Sequence, residues 1–301
     1  LLCFKPSARL EQTGHRFALA PARVAGSIEN KLNLPLIAEA AGVAIAQQAK
    51  VRVGQVSFTE LEEQFGLPFV AQSPRGFAGR RTFRVASALD WADVEAALPG
   101  RPLKVAAWVP GRPGTSNAVV DRAGRVLVSA PILQLTGEPD LTPQVLGSCG
   151  NDFTWRPSPD PTEASSALAE ALGPVLASRG YSGHFGVDWV WDGEHCTLIE
   201  INARLTASFG LYCSHRPELL RAHLAAHQDG DIRPGRLAPI EAGQEVVYNL
   251  TDSALPPLSE AGARPAPGES IAPGEKLGRR WLEGPVVDDE GRRLSLSRTA
   301  R

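Results

Sequence analysis

The sequence of 301 residues is long enough for one large domain or two ordinary ones, and its hydrophobic residues, 43% of the chain, can form a sizeable core. A formal net charge of −2 provides no basic footprint for a nucleic-acid partner, and no apolar run reaches the roughly 20 residues that a membrane-spanning helix needs. The four cysteines have no CxxC spacing, which favours reduced thiols in a cytoplasmic protein over a disulfide framework.

The N-terminal residues carry little periodic pattern. We expect a strand at residues 1–4 and a second short element at 17–24, and we interpret residues 1–28 as the remnant of a preceding domain. Because the sequence contains no methionine and starts inside a strand-like run, we expect the chain to be a fragment of a longer protein. The apolar spacing that follows predicts a helix with Lys31 at its start and Gly42 at its end.

A glycine-bearing loop lies between two predicted strands, at residues 67–71 and 83–86. Glycines such as Gly76 and Gly79 let a backbone approach a ligand closely, and free N–H groups in such a loop can face the oxygens of a triphosphate. The loop lacks the GK[ST] sequence of a Walker motif, and an ordinary hairpin loop remains the alternative. Strand alternation favours Arg81 as the arginine that meets phosphate.

Two helices flank this loop, and Thr59 and Asp90 are their expected N-caps. Further strands are expected at residues 102–109, 118–121 and 126–130. The letters GRPGTS at residues 111–116 imitate a phosphate loop but lack the context that would identify one.

Residues 136–161 are rich in Gly, Pro, Asp and Ser, which predicts a long loop that is functional or mobile. An apolar stripe predicts a helix at residues 162–179, and another helix begins at Pro217. On that last helix His223 and His227 stand four residues apart, a spacing that suits zinc, although no third ligand is evident. Short strands are expected beyond it at residues 245–250 and 281–287.

The clearest chemistry lies in a predicted hairpin at residues 185–201, whose two apolar strands are separated by an Asp-Gly turn signal. Residues two apart on a strand share a face, so Glu200 and Asn202 point the same way, and Asp188 lies opposite Glu200. Two carboxylates and an amide oxygen, with Arg204 just beyond, suit Mg²⁺ and an anionic partner such as phosphate or carboxylate. A hairpin with a solvated acidic face remains the alternative.

These residues belong to the string G-V-D-x(11)-E-I-N-A-R, which closely resembles the metal-binding hairpin of the ATP-grasp superfamily. The resemblance runs from about Asn30 to Leu211 and implies an α+β protein with the ATP-grasp fold, in which two α+β lobes sandwich ATP, with a small C-terminal β extension. The expected domains are the N-terminal remnant at residues 1–28, a small lobe with the Gly-rich loop at 29–109, a large lobe with the metal-binding hairpin at 110–230, and a β extension with its tail at 231–301.

The resemblance also implies roles for individual residues. The strand before Pro110 would be a hinge whose backbone binds adenine, although alanines stand where acidic residues are common in the family. Gln72 stands where many members carry a lysine, so it would hydrogen-bond to the nucleotide without neutralising phosphate. The expected ATP-binding residues are Lys31, Gln72, Gly76, Gly79, Arg81, Trp108 and Val109; the expected metal ligands are Asp188, Glu200 and Asn202; the expected catalytic residue is Arg204.

The activity that the resemblance implies is that of an ATP-dependent ligase that uses ATP and Mg²⁺, or Mn²⁺. A substrate carboxylate would be phosphorylated, and the acyl phosphate would be attacked by an amine or a similar nucleophile, most often with formation of a carbon–nitrogen bond. The expected partners are a small carboxylic acid and an amine-type acceptor, with no nucleic acid and no membrane; the oligomeric state stays open. Three alternatives remain: bicarbonate activation as in a biotin carboxylase, an ATP-binding regulatory module with reduced catalysis, and a structural protein with an accidental match.

Overall fold

The computed structural model of the chain describes residues 8–13, 17–76, 79–228, 230–258 and 270–294, and the strand expected at residues 1–4 lies outside them. The helices are α1 (Ala8–Glu11), α2 (Ala22–Ile28), α3 (Leu34–Ala41), α4 (Phe58–Phe65), α5 (Ala88–Ala97), α6 (Thr162–Ser178), α7 (Phe209–His215) and α8 (Pro217–His227). The strands are β1 (Gln48–Arg52), β2 (Phe69–Gln72), β3 (Thr82–Val85), β4 (Pro102–Ala107), β5 (Arg112–Val120), β6 (Val126–Val128), β7 (Ile132–Thr136), β8 (Ser148–Asp152), β9 (Gly183–Trp191), β10 (Cys196–Asn202), β11 (Gly235–Arg236), β12 (Ala242–Tyr248) and β13 (Lys276–Glu283).

Several predicted helices are confirmed. The helix expected after Lys31 is a 3₁₀ turn followed by α3, and Gly42 ends it in the left-handed conformation, with φ +64°. The helices expected at residues 162–179 and from Pro217 are α6 and α8. The short element expected at residues 17–24 is helix α2, which begins later than expected.

The strands β1, β4, β2 and β3 form, in that order, an antiparallel sheet. Alternate residues of β2 and β4, among them Phe69, Ala71 and Val105, are fully buried against α4 and α5. The residues between them, such as Gln72 and Lys104, therefore belong to the opposite face of the sheet. This sheet and its two covering helices form the first lobe.

The expected N-caps of α4 and α5 were wrong. Ser57 caps α4, because its side chain accepts a hydrogen bond from the N–H of Glu60 at 3.3 Å and Glu60 accepts one from the N–H of Ser57 at 2.8 Å. Ser87 caps α5, since its side chain accepts a hydrogen bond from the N–H of Asp90 at 3.3 Å, whereas Asp90 lies in the first turn. In both helices two candidate caps lie close together in the sequence, and the structure uses the earlier one.

A nine-stranded sheet forms the second lobe together with α3, α6, α7 and α8. Its main path runs β10-β9-β5-β7-β8-β12-β13, while β6 pairs with β5 and β11 pairs in parallel with β6. Helices α3 and α6 pack on one another and close the largest buried core, and α8 packs against β5 and β9. The expected hairpin at residues 185–201 is formed by β9 and β10, at the edge of this sheet.

Strand β5 begins earlier than the strand expected at residues 118–121, so the letters GRPGTS lie inside a sheet and form no phosphate loop. The strand pairs with β9 along its whole length, from Arg112 to Val120. A glycine is needed at position 114 because the ring of Trp189 packs directly against the backbone: an added Cβ would lie 2.6 Å from Cζ2 of that ring and closer to two other ring atoms.

The prediction of a loop at residues 136–161 was wrong, because β8 lies within it. Three of its five residues, Gly150, Asn151 and Asp152, belong to types with little tendency to form strands. They are nevertheless paired on both sides, with β7 and with β12. Backbone pairing from two neighbours therefore outweighs local preference here.

The C-terminal strands β12 and β13 extend the sheet of the second lobe beyond β8. The fully buried carboxylate of Asp152 anchors the chain that follows them, since it accepts hydrogen bonds from the N–H groups of Val286 at 2.5 Å and Val287 at 2.9 Å. Within the described part of the chain, no helix has the length and apolar character needed to span a bilayer.

Candidate active site

A cavity of about 790 Å³, here called the central cavity, is lined by both lobes. The first lobe contributes the outward face of its sheet, including Val70, Gln72 and Lys104. The second lobe contributes Asp188 and Glu200 from the β9–β10 hairpin. A sheet face and a pair of carboxylates thus enclose a space large enough for a nucleotide-sized ligand.

The hairpin has the predicted register at its polar end. Asp188 pairs directly with Glu200, and a bulge at Ile199 separates this pair from the regular pairs nearer the turn. Asn202 lies two residues beyond Glu200, and its amide nitrogen donates a hydrogen bond to Oδ2 of Asp188 at 2.9 Å. The structure therefore brings the three expected metal ligands together on one side of the central cavity.

Asp188 is only partly accessible to solvent. Burial, and next the charge of Glu200, raise its pKa to about 6, while hydrogen bonds from Thr115 and Asn202 oppose the increase. Gln134, a residue of β7, donates a hydrogen bond to Oδ1 of Asp188 at 2.9 Å. Both carboxylate oxygens are thus oriented by side-chain amide groups, one from β7 and one from β10.

Lys31 supplies a cation to the same cluster. Its Nζ lies 2.9 Å from Oε1 of Glu200, and only 6% of its side chain is exposed. The 3₁₀ turn that presents it is capped by Asn30, whose side chain accepts a hydrogen bond from the N–H of Leu32 at 3.2 Å. A lysine distant in sequence thereby partly neutralises the paired carboxylates.

Arg204 lies beside the carboxylates and is held from two sides. Its guanidinium donates hydrogen bonds to Oδ1 of Asn202 at 2.5 Å and to Oε1 of Glu29 at 3.3 Å. Its backbone carbonyl accepts a hydrogen bond from Nδ1 of His184 at 2.8 Å. The guanidinium lines the central cavity, so its position is set before a ligand enters.

Comparison with solved structures identifies the fold. Three similar structures are an N5-carboxyaminoimidazole synthase from Aspergillus clavatus in complex with ADP and 5-aminoimidazole ribonucleotide (18% identity, TM-score 0.65, 92% of this chain and 74% of that chain), a phosphoribosylamine–glycine ligase from Thermotoga maritima (15%, 0.66, 94% and 79%), and the biotin carboxylase domain of 2-oxoglutarate carboxylase from Hydrogenobacter thermophilus with MgADP, ADP and bicarbonate (13%, 0.62, 92% and 67%). This chain has the ATP-grasp fold. No protein-family model matches the sequence, and a search of curated proteins gave no match.

In this ATP-grasp fold the glycine-bearing loop lies against the central cavity. Gly76 and Gly79 both line it, and Gly79 has a φ of +74°. A side chain at position 79 would be strained in that conformation, and its Cβ would lie 2.7 Å from Cα of Gly147. Residues 77 and 78 lie outside the described residues.

The structure places Arg80 in the lining of the central cavity and Arg81 outside it. Strand alternation assumes an extended backbone, but Arg81 has a φ of +58°, in the left-handed region, which breaks the alternation before β3 begins. Arg80 also forms an ion pair with Glu275 from the second lobe, with 2.8 Å between the charged groups. A single turn residue therefore decides which arginine faces the ligand space.

Three other expected nucleotide-binding residues line the central cavity as well: Gln72, Trp108 and Val109. Trp108 is 37% exposed and so is not a core residue, and the guanidinium of Arg84 lies over its ring, 5.5 Å from the ring centroid. Gln72 is buried, and its amide nitrogen donates a weak hydrogen bond to Oγ1 of Thr82 at 3.4 Å.

Several residues that line the central cavity were not expected from the sequence. Lys104 is one of them, although the period of two along its strand places it on the face of Ala106 and would have revealed it. No comparable sequence pattern points to Gln134. The C-terminal strands contribute four more, in two cross-strand pairs: Val246 with Arg279 and Tyr248 with Lys276.

The zinc spacing on α8 has a structural explanation. Nδ1 of His223 accepts a hydrogen bond from the N–H of His184 at 3.0 Å, and Nε2 lies 3.0 Å from the carbonyl of Ala18. His227 packs edge-on against His223, with 4.8 Å between ring centroids. Among the described residues, no group of three or more His, Cys, Asp or Glu side chains could hold a metal. The histidines therefore form a buried support beneath Arg204.

Because these histidines are buried, we expect the stability of the folded protein to depend on pH. Burial, and next the charge of His223, lower the pKa of His184 to about 3, below the unfolded value of about 6.5, so the unfolded chain binds the proton more readily. This contribution is complete above about pH 6.5 and is lost as the pH falls; at about pH 5, His184 alone should cost about 2 kcal/mol of stability. Urea unfolding of the wild type and of His184→Gln at both ends of this range measures the effect. An equal loss in both proteins would contradict the assignment to His184.

Proposed function

We propose that the protein is an ATP-dependent ligase that activates a substrate carboxylate as an acyl phosphate, releasing ADP, for attack by an amine or a similar nucleophile that displaces inorganic phosphate. The observation that carries the proposal is the convergence of Asp188, Glu200 and Asn202 with Lys31 and Arg204 on one cavity between two lobes. The names and bound molecules of the compared structures support the same class, since two were solved with ADP and all three are ligases, synthases or carboxylases by name.

The donor set fits Mg²⁺. Two carboxylates and the amide oxygen of Asn202 are hard oxygen ligands, and Mg²⁺ commonly takes one or two protein carboxylates together with phosphate oxygens and water. Asp188 and Glu200 would hold the ion, with Asn202 beside them. When bound, Mg²⁺ neutralises and positions phosphate oxygens. The short contact between Lys31 and Glu200 already places positive charge where such an ion would lie.

Phosphoryl transfer requires positioning and charge neutralisation more than covalent participation of the protein. In the proposal Lys31 and Arg80 bind phosphate oxygens, the loop with Gly76 and Gly79 covers them with backbone, and the chain at Trp108 and Val109 binds the adenine. In the proposal the two lobes shield the reacting groups from water, since both line the central cavity.

Arg204 is the residue that we assign to the substrate carboxylate and its acyl phosphate. A guanidinium can bind a carboxylate with two parallel hydrogen bonds, and this one is already oriented by Glu29 and Asn202. In the proposal Arg204 would thus hold the substrate carboxylate within the cavity that the paired carboxylates also line.

The test is ADP release from Mg·ATP in the presence of pooled carboxylic acids, amino acids and bicarbonate, with and without amine acceptors. ADP release that depends on an acid and stops when the metal is chelated supports the ligase activity. The pool that stimulates release then limits the identity of the substrate acid. Stimulation by bicarbonate alone would identify the biotin-carboxylase-like alternative. Nucleotide binding without turnover in any pool favours the regulatory module, and a protein that binds no Mg·ATP would overturn the proposal.

A further inference from the structure

Lys104 is a buried lysine that the proposed function leaves without a role. It lies on β4, its side chain is 4% exposed, and it lines the central cavity. In the sheet it pairs with Gln72 of β2, which in turn pairs with Thr82 of β3. The ammonium therefore belongs to the sheet face that lies next to the glycine-bearing loop.

The ammonium has few partners for a buried charge. Its Nζ donates one hydrogen bond, to the carbonyl of Ile199 at 3.2 Å, and no carboxylate of the described residues lies within 4.0 Å of it. Burial lowers its pKa to about 8, with Glu200 opposing and Lys31 reinforcing the change, so the group remains mostly protonated near neutral pH. An ammonium has three N–H donors, and a buried charge without a counter-ion is costly. Such a group is expected where an anion completes its surroundings.

We propose that Lys104 binds the phosphate oxygens of the nucleotide from the sheet of the first lobe. The proposal rests on the proposed function and adds a cation to it. Phosphate is favoured over the substrate carboxylate because Lys104 lies beside the strands that hold the glycine-bearing loop, whereas Arg204 lies on the second lobe. Lys104 would compensate for Gln72, which can hydrogen-bond to a phosphate but carries no charge.

A purely structural role is the alternative to be excluded. Ile199 is the bulge residue before Glu200, and Lys104 could serve only to satisfy its carbonyl. If the role is purely structural, loss of the lysine should disturb the whole hairpin and weaken the binding of every ligand. A phosphate-binding role predicts that only ligands with phosphate are weakened.

The experiment compares Lys104→Met and Lys104→Arg with Lys50→Met. Lys50 is a matched control because it is the cross-strand partner of Lys104 on β1 but is exposed and does not line the central cavity. Calorimetric titration measures binding of Mg·ADP, Mg·tripolyphosphate and adenosine. We expect Lys104→Met to weaken the binding of ADP and of tripolyphosphate on the order of tenfold or more, and to change the affinity for adenosine by less than about twofold. Lys104→Arg and Lys50→Met should stay near the wild type.

Two results with Lys104→Met would overturn the inference: an equal loss of affinity for adenosine and for ADP, or an unchanged affinity for tripolyphosphate. Two results with the other variants would do the same: a loss of phosphate affinity in Lys50→Met or in Lys104→Arg as large as that in Lys104→Met. If Lys104→Met does not fold, Lys104→Arg and a Lys104→Gln variant decide the point with the same ligands. If the wild type binds tripolyphosphate but neither ADP nor adenosine, the proposed function is overturned. In that case the tripolyphosphate affinities of the variants still show whether Lys104 binds phosphate. A wild type that binds none of the three ligands overturns both.

Discussion

Glu200→Gln should reduce acid-dependent ADP release on the order of a hundredfold or more, because the metal ion would lose a charged ligand worth several kcal/mol in the transition state. The side chain keeps its size, so the hairpin with Asp188 opposite should still form. Initial rates at saturating Mg·ATP, with the acid identified by the pooled assay, give the measurement. Raising the Mg²⁺ concentration should recover part of the activity, since the variant weakens metal binding and leaves the other ligands in place.

The same substitution should also lower stability in the absence of ligand. Lys31 is buried and forms its ion pair with Glu200, so the change leaves a buried ammonium without its carboxylate. Removal of one partner from a buried pair typically costs several kcal/mol, and the partial exposure of Glu200 reduces this to about 1–3 kcal/mol. Urea unfolding at neutral pH measures the difference.

Glu194→Gln is the matched control for both measurements. Glu194 lies in the turn of the same hairpin and is 84% exposed, so its neutralisation should change neither turnover nor stability appreciably. If Glu200→Gln turns over at the wild-type rate, the assignment of Glu200 as a metal ligand is wrong. Equal losses in Glu194→Gln and Glu200→Gln would point to a general effect of hairpin charge.

Gly114→Ala should destabilise the protein by about 3 kcal/mol, a large effect for one methyl group. The new Cβ would lie against the ring of Trp189, which is itself fully buried, and β5 cannot retreat because it pairs with β9 along its whole length. Overpacking of a rigid core typically costs about 1–3 kcal/mol, and this site lies at the upper end because both partners are confined. Thermal and urea unfolding of the variant give the value.

A second substitution distinguishes the steric cause from a general loss of strand structure. Trp189→Leu opens space beside position 114, so adding it to Gly114→Ala should cost less than the sum of the two single changes. Gly210→Ala is the control glycine, since nothing lies within 4 Å of its added Cβ and it belongs to helix α7, where alanine is preferred. Additive losses in the double variant would contradict the proposed contact with Trp189.

The sequence by itself determined the features that depend on local periodicity. The alternation along β9 and β10 placed Asp188 opposite Glu200, and the apolar stripe of residues 162–179 located α6. Gly42 ends α3 as expected because only a residue that tolerates positive φ suits that position. These features require only the geometry of one strand, one helix or one turn.

Tertiary structure alone decided how these parts meet. Arg80 faces the cavity in place of Arg81 because one turn residue has positive φ, and the loop expected at residues 136–161 contains β8 because two neighbouring strands pair with it. Lys31 meets Glu200 across 169 positions of sequence, and His184 supports Arg204 through its carbonyl. Contacts between residues so far apart depend on the packing of whole sheets and helices, and no local pattern encodes them.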